Sequence, residues 1–426
     1  MNYFSKLKKL IHNKTDSNER KIIRNSFFGM GGSVIGQLIA MGTSIVMARL
    51  LGVTSLGAYS FALAYSGFIY IFLNLGLSSI LHREASQHPA KTAKYLANTL
   101  FIKVVMAIPF SIVITIPVCI LIGRQDVMIV MILSCIYSGM ASVFSAIESC
   151  ITAREKFDIS FYFSLLQKVS MLGVTGIVLL LIENLIAVML GYLLVFIILV
   201  YMELAYVRKN ICRVYFEFDR AFCKDYVKES LPSLLSSAAE YINLKSDSLL
   251  LGILLSDVAV GLYSVSSNIY IAASFIPLAI AKSTLPTFNR VLVEDIDEAK
   301  RIVNRSIKVV FLVSLIIGIS LIVLGRIAII ILYGHEYEEA TFSLAILGVS
   351  LFAMPLNRLF SYILVGLRKQ GIVATATWIG AIVNVLLNMI FIPLYGMNMA
   401  AITTFLTELL VTLIEIVFLK KQLKAL

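Results

Sequence analysis

Apolar runs recur down this 426-residue chain, each long enough at roughly 20 residues to cross a hydrocarbon core of about 30 Å as a helix. The runs are continuous and show no alternation with period two, which excludes a membrane β-barrel. Composition agrees: 59% of residues are hydrophobic and only 14% charged, far too apolar for a chain whose surface faces water. The expected fold class is an all-α membrane protein.

Bounding the runs by charge and turn residues predicts helices at 25–48, 58–81, 95–122, 127–150, 158–181, 185–207, 229–254, 258–285, 305–324, 340–366, 371–392 and 398–419. That makes twelve. Of the 36 Lys and Arg, five fall inside runs and three (Arg49, Arg124, Arg326) at one set of helix ends. All the others lie before the first helix or at the opposite set of ends. The positive-inside rule therefore predicts that both termini are cytoplasmic. The net charge of +11 reads as an orientation signal and an attraction to lipid headgroups, with no nucleic-acid partner.

Residues 1–24 are basic and polar and have no signal-peptide core. Tyr3, Phe4, Leu7, Leu10 and Ile11 fall at helical spacing among lysines, which fits either an amphipathic surface helix or a frayed tail. The five cysteines are scattered, as are His12, His82, His88 and His335, so no disulfide framework, metal site or cofactor is expected.

An even number of passes invites a search for two halves. Gly57-Ala58-Tyr59-Ser60 echoes Gly261-Leu262-Tyr263-Ser264 at an offset of 204, and Ala153-Arg154-Glu155-Lys156 echoes Leu367-Arg368-Lys369-Gln370 at 214. The expected layout is a basic segment over 1–24, an N-lobe over 25–207 (helices 1–6), a linker over 208–228, a C-lobe over 229–419 (helices 7–12) and a tail over 420–426.

An ionisable residue at bilayer depth is costly and so points to function. Lys103, Lys168, Lys245, Lys282 and Arg358 qualify. Snorkelling accounts for Lys282, near a helix end. Lys103 and Lys168 lie roughly 10–15 Å deep, and Lys245 roughly 24 Å from the start of its helix. Glu240 and Asp247 share a face of helix 7, but Lys245 is displaced from Glu240 by about 140°. Lys245 thus needs a partner on another helix, an anion, or a break in its helix. Glu408, Glu415, Asn384 and Asn388 read as interhelical hydrogen-bonding groups, and Gly29, Gly32 and Gly36 as a packing stripe.

Several stretches carry a family resemblance: Ala48-Arg49-Leu50-Leu51-Gly52 with Gly57-Ala58-Tyr59-Ser60, Leu75-Gly76-Leu77 with Arg83-Glu84, Lys245-Ser246-Asp247, Gly261-Leu262-Tyr263-Ser264, and Pro277 with Pro286. In these the chain resembles the O-antigen flippase (Wzx-type) polysaccharide transporters of the multidrug/oligosaccharidyl-lipid/polysaccharide (MOP) exporter superfamily. The resemblance implies two six-helix lobes around a central cavity in a bacterial inner membrane. It further implies alternating access that moves an undecaprenyl-pyrophosphate-linked oligosaccharide from the cytoplasmic to the periplasmic leaflet. Expected partners are that lipid-linked oligosaccharide and membrane lipids, with a polysaccharide polymerase and a chain-length regulator as protein partners. Lipid II flippases, a sister branch, carry arginines in the first membrane helix, but Ile35 to Thr43 contains none.

With such a cargo, Lys245, Arg358, Lys103 and Lys168 are the expected pyrophosphate contacts, and Glu240 or Asp247 the groups that couple the cycle to protons or sodium. Cation-coupled drug efflux is the alternative within transporters, although intramembrane lysines would repel a cationic cargo. A membrane polymerase would need an outer loop bearing catalytic groups. The longest, from Arg326 to Ala340, offers His335, Glu336, Glu338 and Glu339, read mainly as a solvated charge cluster.

Overall fold

The computed structural model describes residues 18–425, so the reading over Tyr3–Ile11 lies outside the described residues. The described residues are almost wholly helical and include no strand. In chain order the helices are α1 Asn18–Asn74, α2 Leu77–Gln87, α3 Thr92–Phe101, α4 Ile108–Leu121, α5 Met128–Thr152, α6 Phe157–Ile182 and α7 Leu185–Asn210. They continue as α8 Arg220–Leu254, α9 Asp257–Glu294, α10 Ile296–Leu332, α11 Ala340–Ser350, α12 Met354–Gly366, α13 Gln370–Tyr395 and α14 Asn398–Ala425.

Among the described residues, ten stretches are long and apolar enough to cross a membrane. The first of them reverses at Gly52 (φ 76°, ψ 179°), a conformation open to glycine, and so counts as two passes. The more polar α8 completes the twelve. α3 and α4 form one pass through a π-helical turn, Ile102–Ala107, and α11 and α12 form another.

Several boundaries depart from the sequence reading, and α9 and α10 also run through residues 286–304, read as a connection, leaving only Asp295 between them. The second pass ends at Asn74, where Leu75 (φ 47°) and Gly76 (φ 68°) turn the chain into α2. α2 is an amphipathic helix that buries Leu77, Ile80, Leu81 and Ala85. The segment between α7 and α8 shortens to residues 211–219, because Asp219 caps α8 by accepting the Phe222 N–H at 3.0 Å. The supposed long outer loop shrinks to residues 333–339, because α10 runs on to Leu332.

The first six passes and the last six pack mainly among themselves and meet where α1 lies against α8 and α9. The end of the molecule carrying the turns at 153–156 and 367–369 is here called the near end, and the other the far end. At the far end, a Cβ on Gly57 would fall 1.7 Å from the Asp257 carbonyl oxygen, and one on Gly261 would fall 2.3 Å from that of Val53. Val53 and Asp257 precede the two glycines by one turn, so these contacts exchange under the offset of 204 read from the sequence. The near-end turns are alike in each holding one left-handed residue, Glu155 (φ 59°) and Arg368 (φ 60°), although these stand one place out of the register of the sequence echo.

Candidate functional site: a cationic cavity between the halves

The far end is closed by contacts across the halves. Arg124 Nη2 reaches both carboxylate oxygens of Asp257 at 2.7 and 2.8 Å, Nη1 donates to the Gly252 carbonyl at 2.7 Å, and the guanidinium lies 4.6 Å from the Phe61 ring centre. Arg49 donates to the Leu332 carbonyl at 2.9 Å and to that of Ile331, and Tyr337 Oη donates to the Ala48 carbonyl at 3.0 Å. The arginines spend their donors on carbonyls that helix ends leave free.

Beneath this closure lies a cavity of about 230 Å³ between the halves. Thr43, Ser44, Tyr59, Tyr137, Lys168 and Tyr192 line it from the first half, and Lys245, Ser248, Ser264, Ser267 and Asn268 from the second. Neither Lys168 nor Lys245 has a hydrogen bond or ion pair to protein among the described residues, so each ammonium keeps three donors for an occupant. A second cavity of about 410 Å³ shares Lys168 and extends along Gly32, Gly36, Gln37, Glu148 and Ser164 to Phe275. Gly32 and Gly36, the described members of the glycine stripe, form its wall. A Cβ on Gly32 would meet the Phe161 ring at 2.8 Å.

Of the four expected pyrophosphate contacts, the structure brings two together in this cavity. Lys103 lies elsewhere. It is fully buried in the π-helical turn, where Nζ donates to Asn74 Oδ1 at 2.8 Å, Ser78 Oγ at 3.0 Å and the Ser142 carbonyl at 2.9 Å. All three donors are used, tying the junction of α1 and α2 to α5. Arg358 also lies apart, in the second half, with Nη1 at 3.6 Å from Glu240 Oε1. Lys282 is exposed, and α9 runs on past it to Glu294, so it lies farther from a helix end than the sequence reading placed it.

Asp247, the other expected coupling group, is 3% exposed and accepts from Tyr263 Oη, Asn388 Nδ2 and Thr404 Oγ1, each at 2.6 Å. Asn388 Nδ2 also reaches Asn384 Oδ1 at 3.0 Å, and Ser246 Oγ donates to that same oxygen at 2.6 Å. Glu408 accepts from Asn357 at 2.8 Å and Glu415 from Ser361 at 2.7 Å, the interhelical bonding read for these carboxylates and amides. A small cavity of about 60 Å³ joins Glu240, Asp247, Arg358 and Glu408. At the far end, His335 and Glu338 sit in an exposed pairing with Arg326, whose Nη2 is 2.6 Å from Glu338 Oε1.

The sequence reading missed the tyrosines of the cavity, which give no signal in an apolar run. It also missed the polar run Ser266-Ser267-Asn268 on α9, which interrupts an apolar stretch and could have flagged the lining. Glu148 and Glu203 meet the same criterion of intramembrane charge that singled out the lysines.

Twelve passes in two packed halves, with a polar cavity at their seam, define a multi-pass membrane protein of transporter architecture. The chain belongs to the polysaccharide biosynthesis protein family, whose model matches residues 22–292, and the MatE model matches residues 232–394. The fold is that of an inward-facing multidrug resistance MATE family transporter of the MOP superfamily (TM-score 0.79, 15% identity, 95% of this chain and 98% of that one). The lipid II flippase MurJ in an inward closed conformation is also similar (TM-score 0.78, 14% identity, 92% and 87%). A probable flippase, AglR of Haloferax volcanii, is 29% identical over 187 residues, or 42% of this chain and 38% of that relative's length. These relatives are transporters and flippases and not enzymes.

Proposed function

We propose that this protein is a flippase that carries a lipid-linked oligosaccharide across the membrane by alternating access. Its cargo is an undecaprenyl-pyrophosphate-linked repeat unit, of the kind used for O-antigen or a related surface polysaccharide, moved from the cytoplasmic to the periplasmic leaflet of a bacterial inner membrane. The observation that carries this reading is the convergence of Lys168 and Lys245, from opposite halves and with no ion pair to protein among the described residues, on one cavity. A diphosphate crossing hydrocarbon unaided would expose charge at a cost of several kcal/mol per group. Two unpaired ammonium groups offset that cost through charge-assisted bonds, and the hydroxyl and amide wall of Ser248, Ser264, Ser267 and Asn268 suits sugar hydroxyls. The isoprenoid tail stays in lipid.

In this reading the near end is cytoplasmic, the two halves are the moving lobes, and residues 211–219 link them. Asp247 and Glu240 couple the cycle to an ion. Lys103 and Arg358 act on the conformation of their own halves, and do not touch phosphate in this state. The test is surface polysaccharide in cells carrying Lys245→Ala or Lys168→Ala. Export should fall to the level of cells lacking the protein while membrane insertion persists, and wild-type export in both would reject the site. Single repeat units displayed outside would point instead to a polymerase.

The match to the MatE model favours drug efflux as a second reading. Against it, two unpaired lysines repel a cationic cargo, and a gain in drug resistance that survives Lys245→Ala would support it.

A further inference from the structure

Glu203 on α7 is fully buried, and neither carboxyl oxygen has a hydrogen-bond partner among the described residues. Buried carboxylates are ordinarily paired or hydrogen-bonded, since an isolated one is among the costliest groups a protein can enclose. Elsewhere in this chain that rule holds: Asp247 accepts three hydrogen bonds and Glu408 an amide. Glu203 is the exception, and the charged group acting on it is Glu148 of α5.

Glu148 stands in a different setting. It lines the larger cavity together with Lys168, and its Oε1 accepts from Ser164 Oγ at 3.0 Å and from Ser160 Oγ. One carboxyl is therefore sealed between helices and the other reaches the space that the cationic site opens into. The surrounding groups supply no counter-charge to Glu203. Cys150 of α5 lies within electrostatic range of Glu203 and of Arg154, and Tyr70 of α1 within range of Glu148. Lys156 turns its Nζ onto Tyr206 Oη at 3.2 Å, and Lys168 points into the cavities.

We propose that Glu203 is a proton-carrying site of the first half, with Glu148 as its relay to the cavity. No hydrogen bond joins the two carboxyls in this state, so the transfer runs through water admitted between α5 and α7. The Glu203 carboxyl O–H bond breaks and a water O–H bond forms, that water gives up a different proton to form an O–H bond on the Glu148 carboxylate, and the negative charge moves from Glu148 to Glu203. With the charge on Glu203 the sealed pocket becomes unfavourable, so the proton cannot leave unless α7 shifts against α5 and admits water or a donor. Proton movement and helix movement are thereby linked. Taking the cavity as the diphosphate site, as proposed above, an anion on Lys168 removes positive charge from the neighbourhood of Glu148 and favours its accepting the proton.

The test is infrared spectroscopy of the purified full-length protein in lipid nanodiscs at neutral pH, comparing wild type with Glu203→Gln and Glu148→Gln. A neutral carboxyl band lost in Glu203→Gln and retained in Glu148→Gln is expected, with Glu203→Gln as heat-stable as wild type because the amide imitates the protonated acid. A spectrum unchanged by Glu203→Gln overturns the proposal. In cells, Glu203→Gln should lose export and Glu203→Asp, which can still carry a proton, should restore it. Wild-type export by Glu203→Gln also overturns the coupling role. Failure of the lysine variants to affect export would reject the diphosphate site and leave the infrared result standing.

Discussion

Arg124 and Asp257 join the two halves of the molecule at the far end through a two-pronged ion pair, both side chains only 13% exposed. In so dry a setting a charge-assisted pair contributes about 1–3 kcal/mol, more than an exposed one. Asp257→Asn should loosen the closure without unfolding either half. A membrane-impermeant thiol reagent added from the far side should then label Ser267→Cys, in the central cavity, faster than in the unaltered background. Equal labelling rates would show that the pair does not hold the closure.

Lys103 and Lys245 are both lysines at membrane depth, yet they should behave oppositely. Lys103→Ala strips the donor from Asn74, Ser78 and the Ser142 carbonyl, which should lower stability by about 2–4 kcal/mol. Lys245→Ala removes no hydrogen bond or ion pair among the described residues and should leave the melting temperature within a degree or so of wild type, since its loss falls on transport. Melting curves in detergent compare the two, and equal drops would contradict the assignment.

Gly57→Val places atoms where the Asp257 carbonyl already stands, 1.7 Å from the new Cβ. The first and second halves must part at the far end, so thiol labelling of the cavity from that side should rise and export should fall. Gly173→Ala, with nothing within 4 Å of its Cβ, is the control and should be neutral or stabilising by up to about 1 kcal/mol.

Asp219 anchors the segment between the halves. Lys94 Nζ at 2.8 Å and the Phe222 N–H hold its carboxyl below the usual aspartate range. A lowered value means the anchor is fully formed above the ordinary aspartate pKa and is lost as pH falls through the lowered one. A spin label on Phe216→Cys, in a background lacking Cys212, should become mobile on that descent. In Asp219→Asn it should be mobile throughout.

Depth in the membrane was legible in the sequence, but direction around a helix was not. Apolar run length locates twelve passes because hydrocarbon thickness sets it, and the echo at Gly57 and Gly261 marks a real crossing. The break at Leu75 and Gly76 was invisible, since the apolar residues continue through it into α2. Lys103 and Lys168 lie at similar depths in the sequence reading, yet one faces Asn74 and Ser78 and the other a cavity. The π-helical turn that rotates Lys103 inward leaves no compositional mark. Arg358 of α12 and Glu240 of α8 reach each other across two helices, a tertiary fact that spacing along one helix does not contain.

The crossing of Gly57 over Asp257 and of Gly261 over Val53 resembles the self-matching patch of a two-fold dimer, fused into one chain. Contacts that mirror each other about such an axis sit at equal leverage, so a rocking motion strains both in the same instant. In the proposed alternating-access cycle, parting at these contacts would then be cooperative, favouring two end positions over a halfway one and so limiting leakage around the cargo.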